Sequence, residues 1–403
     1  MTVDTFGDVP DAPAGRPGGQ GQSVEAAVAA GEAVLAHRFG SAIALIEPEL
    51  LPGSGPATVV RARIASSPFG LPRTLVIKHY PAPPVPGVAD PFAQEAVSYQ
   101  LFTALSAEDR MCPELLGHYG RERVLVVEDL GRAPTLQDKL CGEDARAAER
   151  ALLSWARSLG RMHATTAGRE ADFDALLRRL GGPVKEKDVL AAACVRLPGL
   201  VEESLRVRMP GEVRRFGQRA FERAYSAAYR AFSPADLSPD NNLVTSGGVR
   251  FLDFERGRVR NALLDVVQLR VPFASCGDPM ALPAGMSEAM VAAWRAEVRG
   301  IWPALSDDEV LTASLLDHQL VLLGHRTVEN LAKGTATEVI TRQGVTVRPA
   351  DRPAALVSWW RDLGGYAARA GHEALAAYAR DVAEALDQRF GPGLALPLYP
   401  AFH

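Results

Sequence analysis

The stretch AFSPADLSPDNNLVTSGGVRFLDF, residues 231–254, decides how the rest of the chain is interpreted. Two short apolar runs, Asn242–Val244 and Val249–Leu252, flank a Ser-Gly-Gly turn at Ser246–Gly248. A glycine-containing turn between two β-branched runs is typical of a β-hairpin. The stretch therefore predicts a loop followed by two short antiparallel strands.

Three polar side chains lie at the ends of this predicted hairpin. Asp236 and Asn241 precede the first strand, and Asp253 ends the second, directly before Phe254. This is the D-x-x-x-x-N … D-F spacing of the catalytic and metal-binding loops of kinases. One carboxylate of such a set accepts a hydroxyl proton, while the amide and the second carboxylate are hard oxygen ligands for Mg²⁺. The alternative is a surface hairpin, because turns favour Asp and Asn in any case.

Composition restricts the class of protein. At 403 residues, the chain is long enough for two lobes with separate cores. Its 47% hydrophobic and 23% charged residues are ordinary for a soluble protein, and a net charge of −4 argues against nucleic-acid binding. The four cysteines lie far apart with no C-x-x-C pair, which suits a reducing cytosol and offers no zinc site.

The start of the chain predicts neither a signal peptide nor a membrane anchor. Residues 1–22 are rich in Gly, Pro and Asp and predict a disordered tail, and Ser23–Phe39 predicts a helix. Acidic residues stand where a signal peptide carries positive charge, and no apolar run is long enough to span a bilayer. We expect a cytoplasmic protein without a membrane partner.

Residues 43–80 carry a β pattern. The runs Ile43–Pro48, Thr58–Ala65 and Thr74–Tyr80 predict three strands. The link between the first two contains Gly53-Ser54-Gly55, whose backbone N–H groups are candidates for binding nucleotide phosphates. An ordinary glycine turn between strands is the alternative.

Lys78 stands out at the end of the apolar run Leu75–Ile77. The chain has only five lysines among its 44 basic residues, so a lysine at this position in a strand needs a specific reason. The run resembles the kinase strand whose lysine holds the α- and β-phosphates. A snorkelling lysine on a half-exposed strand is the alternative.

A helix follows, starting at Asp90-Pro91 with an N-cap aspartate and proline at its first position, and running to about Leu105. Glu95 lies beside its apolar face, where a carboxylate would orient the ammonium of Lys78. A solvated glutamate in the first turn, favoured by the helix dipole, is the alternative.

The continuous apolar run Val124–Val127 predicts a buried strand, and the polar link Glu128-Asp129-Leu130 after it marks a boundary between lobes. Beyond it the chain is mostly helical. The long helices are predicted over 145–165, 287–300, 306–330 and 354–390. The predicted organisation is a tail (1–22), a nucleotide-binding lobe (23–129) and a helical lobe with the catalytic and metal-binding loops (130–403).

The order of these features resembles the aminoglycoside phosphotransferase family, small-molecule kinases with a protein-kinase-like fold. The resemblance is carried by a glycine turn, a strand lysine, a helix glutamate, the run Leu159-Gly-Arg-Met-His-Ala164, Asp236-x-x-Pro239-x-Asn241 and Leu252-Asp-Phe-Glu255. It covers roughly residues 50–273. It implies an α+β, bilobal fold with a small β-rich lobe and a large, mostly helical lobe.

The resemblance also implies roles for individual residues. The protein would move the γ-phosphoryl group of ATP or GTP to a hydroxyl of a small molecule, with an aminoglycoside or another antibiotic as the candidate acceptor. Asp236 would be the catalytic base, Asn241 and Asp253 would hold Mg²⁺, and Lys78 would contact phosphates, positioned by Glu95. The other implied residues are those whose backbone would contact the adenine edge (Glu128, Asp129, Leu130) and the aspartate that would brace the catalytic loop (Asp265).

One position departs from the family pattern. A histidine usually stands two residues before the catalytic aspartate, and this chain has Pro234 there. The missing histidine makes a pseudokinase-like nucleotide-binding regulatory protein the alternative from another class. A kinase of a sugar, a choline-like alcohol, a nucleoside or a macrolide is the alternative within the enzyme class. Three acids near the loop, Asp240, Glu255 and Asp278, are candidates for contacting a cationic acceptor, or are solvated turn residues. The oligomeric state is not predicted.

Overall fold

The structure is a computed structural model that describes residues 17–53, 55–66, 70–83, 85–181, 188–274, 279–333 and 351–403. The chain divides into two compact units. The first comprises the described residues up to Ala82 together with Leu116–Asp129. The second comprises Pro83–Leu115 and the described residues from Leu130 onward. The greater part of the predicted tail, residues 1–16, and the candidate residues Ser54 and Asp278 lie outside the described residues.

The first unit consists of a helix and a β-sheet. Its elements are α1 (Pro17–Phe39), β1 (Leu45–Leu50), β2 (Thr58–Ile64), β3 (Thr74–His79), β4 (Leu115–Tyr119) and β5 (Val124–Glu128). Among the described residues these strands form one sheet in the order β1-β2-β3-β5-β4. Helix α1 packs on the sheet, and the core between them is aliphatic, as the Val- and Ile-rich strand sequences require.

Two details of this sheet differ from the sequence prediction. Strand β4 was not predicted, and α1 begins at Pro17 rather than at Ser23. The pairing of β1 with β2 shifts register between Ile46 and Glu49, at a bulge that includes Pro48. Proline has no N–H to donate to the ladder, which confines it to such positions.

The second unit is mostly helical. Its helices are α2 (Pro91–Thr103), α3 (Leu136–Leu140), α4 (Ala145–Thr166), α5 (Glu170–Arg179), α6 (Val189–Leu205), α7 (Gly211–Ala224), α8 (Leu263–Val266), α9 (Met286–Val298), α10 (Asp308–Lys333), α11 (Asp351–Arg369) and α12 (Glu373–Phe390). Its strands are β6 (Arg230–Ser233), β7 (Asn242–Thr245), β8 (Gly248–Phe251) and β9 (Arg258–Asn261). β7 pairs with β8 and β6 with β9, both antiparallel. The predicted α+β class, with a small β-rich part and a larger, mostly helical part, is confirmed.

Local sequence signals explain where several helices begin. Asp90 caps α2 by accepting a hydrogen bond from the Phe92 N–H, with Pro91 at the first helical position. Thr135 and Asp138 form a reciprocal capping box at α3: the Thr135 hydroxyl accepts from the Asp138 N–H, and the Asp138 carboxylate accepts from the Thr135 N–H. The start of α2 was predicted from Asp90 and Pro91.

Two predictions about this unit were wrong. The single helix predicted over 354–390 is two helices, because Gly371 adopts φ +74° and the His372 N–H bonds back to the Ala367 carbonyl, as in a Schellman-type helix end. The chain beyond Leu130 was predicted to be mostly helical up to the hairpin, and strand β6, which starts at Arg230, was not predicted.

Helix α4 organises the core of the second unit. Leu152, Trp155, Leu159 and Met162, predicted as its apolar face, are buried. Gly160 on the same helix allows α9 to approach closely, since a Cβ there would lie 2.8 Å from the Trp294 carbonyl oxygen. Among the residues that the structure describes, no helix is both long and apolar enough to cross a lipid bilayer.

Candidate active site

The predicted hairpin is present, and aromatic packing fixes the chain around it. Phe232 on β6 contacts Phe254 just beyond β8 with ring centroids 5.2 Å apart, and Phe102 of α2 contacts both. Tyr99 of the same helix packs 5.2 Å from Phe254 and donates its hydroxyl to the Leu252 carbonyl at 2.5 Å. These buried rings position the segments that carry Asp236 and Asp253.

Asp236 lies in the loop that leads from β6 to a short 3₁₀ turn, Pro239–Asn241. Its Oδ1 accepts two hydrogen bonds from Ser238, one from the backbone N–H at 3.0 Å and one from the hydroxyl at 2.7 Å. Within the described part of the chain, Oδ2 has no such bond. One oxygen is therefore held in place, and the other is left to accept a proton.

The backbone joins the two predicted metal ligands. The Leu252 N–H donates to the Asn241 carbonyl at 3.0 Å, which brings Asn241 next to the residue that follows Leu252, Asp253. The Asp253 carboxylate in turn accepts the Glu255 N–H at 3.2 Å. The structure thus brings together Asn241 and Asp253, which are 12 positions apart in the sequence.

Asp253 belongs to a cluster of three carboxylates. Oxygen atoms of Glu95, Asp253 and Glu255 all lie within 4.8 Å of one another. Glu95 is fully buried, and its carboxylate accepts the Phe254 N–H at 3.4 Å. Three carboxylates this close repel one another unless a cation or a proton intervenes. The donor set of three carboxylates fits Mg²⁺, which prefers hard oxygen ligands.

The cluster affects a neighbouring tyrosine. Burial, with the nearby carboxylates of Glu95 and Asp253 adding to it, raises the pKa of Tyr99 well above its usual value. Tyr99 therefore keeps its proton and remains a hydrogen-bond donor to Leu252, at the base of the Asp253 segment.

A buried polar network braces the strand before Asp236. Asp265 is fully buried and accepts hydrogen bonds from the Ser233 hydroxyl at 2.8 Å and from the Arg260 guanidinium at 2.5 Å. Arg260 also donates to Ser233 Oγ at 2.9 Å, and the Ala235 N–H donates to the same oxygen at 3.0 Å. Burial acts to raise the pKa of Asp265, but the Arg260 charge and the bond from His163 outweigh it and hold the pKa below its usual value.

The network continues to α9 through a histidine. The Trp294 indole N–H donates to His163 Nδ1 at 3.0 Å, so Nδ1 is an acceptor and the ring proton lies on Nε2, which is 3.3 Å from Asp265. His163 is buried and packed, as expected for a histidine without a catalytic role. The bracing position of Asp265 agrees with the role that the resemblance implies.

The residue next to Asp236 has an unusual backbone. Ala235 has φ +62°, in the left-handed region that a non-glycine residue adopts at a cost of about 1 kcal/mol. Its N–H bond to Ser233 Oγ helps to hold it there. Strain of this kind next to a charged loop residue is typical of functional sites.

Sequence reasoning missed Ser233 and Arg260 as parts of this network. The sequence comparison placed Pro234 where the family has its histidine. In the structure the side chain of Ser233, one residue earlier, hydrogen-bonds to Asp265 and to the loop backbone. No local signal identified them, because Ser233 lies on β6 and Arg260 on β9, and only the pairing of these strands brings the two together.

The other predicted residues of the second unit lie in or just beyond this region. Asp240 is in the 3₁₀ turn beside Asn241, and Leu130 opens the second unit after β5. Glu255, predicted as an acceptor contact, has a carboxylate oxygen within 4.8 Å of those of Asp253 and Glu95, and its contact with an acceptor stays a prediction.

The remaining predicted nucleotide-binding residues belong to the first unit. Lys78 lies on β3, flanked in register by Val59 of β2 and Leu125 of β5. Gly53 and Gly55 are in the β1–β2 link, and Glu128 ends β5. The Asp129 carboxylate forms a bidentate pair with Arg61, with both N···O distances 3.0 Å, so its side chain has a structural role. The pairing of Lys78 with Glu95 stays a prediction.

Comparison with known proteins finds likeness only among structures. No family model and no curated protein matches the chain. A similar solved structure is that of the choline kinase LicA from Streptococcus pneumoniae, with 12% identity, coverage of 80% of this chain and 94% of that chain, and a TM-score of 0.43. Another is a choline/ethanolamine kinase family protein from Mesorhizobium loti, with 15% identity, coverage of 83% and 92%, and a TM-score of 0.44.

A third similar structure is the streptomycin–ATP–APH(2″)-IIa ternary complex, with 12% identity, coverage of 73% of this chain and 89% of that chain, and a TM-score of 0.40. These proteins are small-molecule kinases of the class that the sequence resembles. The side chains of this chain, not these likenesses, support the function proposed next.

Proposed function

We propose that the protein is a Mg²⁺-dependent phosphotransferase that moves the γ-phosphoryl group of ATP or GTP to a hydroxyl of a small molecule. Two features support this most directly. Asp236 has one carboxylate oxygen held by hydrogen bonds and one that accepts none among the described residues. The hairpin that follows it leads to Asp253, which belongs to a cluster of three carboxylates. The backbone bond between Leu252 and Asn241 links the two. A base beside a cation site is what phosphoryl transfer to a hydroxyl needs.

Asp236 is the proposed catalytic base. Ser238 holds its Oδ1 with two hydrogen bonds, which orients Oδ2 toward an incoming hydroxyl without consuming its capacity to accept a proton. A positioned base contributes roughly 10²–10⁴-fold to such a reaction. The Ser233–Asp265–Arg260 network fixes the strand from which the loop departs, so Asp236 needs little reorganisation when the acceptor binds.

Asn241 and Asp253 are the proposed Mg²⁺ ligands, and the Glu255 carboxylate lies within 4.8 Å of that of Asp253. When bound, the ion would neutralise charge on the β- and γ-phosphates. Among residues of the first unit, Lys78 is the proposed contact of the α- and β-phosphates, and the backbone of 53–55 and 128–130 is the proposed contact of the phosphates and the adenine edge. Glu95 serves in this proposal to orient Lys78.

The acceptor is proposed only as a class, a small molecule with a free hydroxyl. Asp240, Glu255 and Asp278 are the proposed contacts of a cationic acceptor such as an aminoglycoside. A sugar, a choline-like alcohol, a nucleoside and a macrolide are the other acceptors that the residues allow, and a pseudokinase that only binds nucleotide is the alternative without transfer.

The test is a phosphoryl-transfer assay with γ-labelled ATP and GTP against a panel of aminoglycosides, macrolides, nucleosides, sugars and amino alcohols. We expect transfer to at least one class, and we expect Asp236→Ala and Asp253→Ala each to abolish it while the protein remains folded. Asp381→Ala is the matched control, because Asp381 is exposed on α12 and makes no ion pair among the described residues. Wild-type turnover in either loop variant would contradict the assigned roles.

A further inference from the structure

An open cavity of about 250 Å³ lies at the surface of the second unit, between α6, α7 and α10. Its wall is aliphatic and aromatic and includes Leu197, Val213, Phe221, Leu320 and Val321. It shares no residue with the carboxylate loop. The cavity is open to solvent, since Val195 in its wall is 82% exposed. Ligand sites are concave and mostly apolar, which makes it a candidate binding site.

Two glycines on facing helices contribute to the space. Gly217 of α7 and Gly324 of α10 both line the cavity. Each costs up to about 1 kcal/mol of helix stability relative to alanine. Packing does not require a glycine at position 217, because a Cβ there would meet nothing closer than Leu320 Cδ2 at 3.8 Å. The helix therefore gives up stability at a position where a larger side chain would fill the cavity.

The described wall of the cavity carries positive charge only. Arg214 is the one charged residue in its described wall, it is exposed, and it forms no ion pair among the described residues. Gln218, one turn further along the same face of α7, adds an amide. An occupant that matches this wall has an apolar body and one anionic end.

We propose that the cavity binds a medium-chain carboxylate, with its chain against the apolar wall and its carboxylate at Arg214. The size agrees, because an apolar cavity of about 150 Å³ holds benzene, so this one holds roughly ten carbon atoms. This site is separate from the proposed phosphotransferase site, and neither proposal depends on the other.

The probes are decanoate, decanol and decyltrimethylammonium, which share an apolar chain and differ in charge. Titration calorimetry on the full chain should show decanoate binding most tightly and the cation least. Arg214→Gln should weaken decanoate binding by about three- to fivefold, the size of an exposed ion pair, and leave decanol unchanged. Arg215→Gln is the matched control, since Arg215 is exposed on the same helix but is outside the cavity wall.

A second pair of variants tests the cavity without removing a charge. Gly217→Leu should fill the space and abolish binding of decanoate, while Gly217→Ala should retain it, and both should raise helix stability because both residues are better helix formers. Equal binding of all three amphiphiles, or unchanged decanoate binding by Gly217→Leu, would overturn the proposal. Phosphoryl transfer should be unaffected by Gly217→Leu, which separates the two sites.

Cys194 provides a label-based readout, since its side chain lines the same wall. Burial, with the Asp188 carboxylate adding to it, raises the pKa of Cys194 to about 11, so alkylation at neutral pH is slow and can be followed by peptide mass spectrometry. Saturating decanoate should slow the labelling of Cys194 further and leave the exposed Cys141 unchanged. An unchanged Cys194 rate would contradict occupancy of the cavity.

Discussion

At the scale of single residues, the site depends on a buried charge held by one guanidinium. Asp265 is fully buried, and Arg260 is its cationic partner. Removing one member of such a pair costs about 3 kcal/mol or more, because the other charge is left buried and uncompensated. Arg260 therefore stabilises the loop that carries Asp236 indirectly, through Asp265 and Ser233.

Arg260→Met should lower the free energy of unfolding by about 3 kcal/mol at pH 7. In the wild type the lowered pKa of Asp265 contributes stability that is present above the unfolded-state pKa, about 3.9, and is lost as the pH falls through the folded-state value. In the variant, burial without the guanidinium raises that pKa, so stability instead falls as the pH rises above about 4.

Urea unfolding at pH 4 and pH 7 measures this difference. The free energy of unfolding that Arg260→Met loses relative to the wild type should be smaller at pH 4 than at pH 7. Arg256→Met, four residues earlier, removes an exposed arginine that forms no ion pair among the described residues, so it should show a small deficit that does not change with pH. An equal deficit for Arg260→Met at both pH values would show that the guanidinium does not act through the carboxylate.

Single residues also mark the limit of sequence reasoning about the site. Asp236, Asn241 and Asp253 could be predicted because their spacing is local and their chemistry is specific. Ser233 and Arg260 could not, because their contact depends on the pairing of β6 with β9, which joins segments that no local pattern relates. The closeness of Glu95 to Asp253 depends likewise on the aromatic packing of α2.

At the scale of elements, segments marked by a turn signal or by a long helical period were predictable, and short segments with neither were not. The β7–β8 hairpin and α4 follow from a glycine turn and from a helical apolar face. Strands β6 and β9 have four residues each, and β9 reads RVRN, so neither shows an alternation long enough to detect. An isolated glycine in a helical pattern is ambiguous between a tolerated helix residue and a helix end, which is why the break at Gly371 was missed.

The α11–α12 turn offers a test at this scale. Gly371→Ala should lower the free energy of unfolding by about 1 kcal/mol, since φ +74° is strained for any residue with a Cβ, although open space surrounds the position. Gly365→Ala is the control within α11: its Cβ would meet Arg369 Nη1 at an ordinary 3.5 Å, and it should raise stability by up to about 1 kcal/mol.

Thermal or urea unfolding of the two glycine variants checks the sign of each change. The free energy of unfolding should fall in Gly371→Ala and rise in Gly365→Ala, although both variants replace glycine by alanine. A stabilising Gly371→Ala would mean that α11 and α12 are not separated by a left-handed residue.

At the scale of the whole molecule, the described residues form two compact units, with Asp129 in the first and Leu130 in the second. Residues 83–115, predicted to belong to the nucleotide-binding lobe, cluster instead with the second unit. The reason is that Tyr99 and Phe102 of α2 pack on Phe232 and Phe254, a contact between segments more than a hundred positions apart. The assignment of functions to the two units stays a prediction.

The most direct test of the proposed function is calorimetric titration of the protein with ATP and GTP, with and without Mg²⁺. We predict that at least one nucleotide binds only when Mg²⁺ is present, that Asp253→Ala abolishes this binding, and that Asp236→Ala and Asp381→Ala retain it. Failure of both nucleotides to bind with Mg²⁺, or full binding by Asp253→Ala, would contradict the claim that this hairpin holds a metal–nucleotide complex.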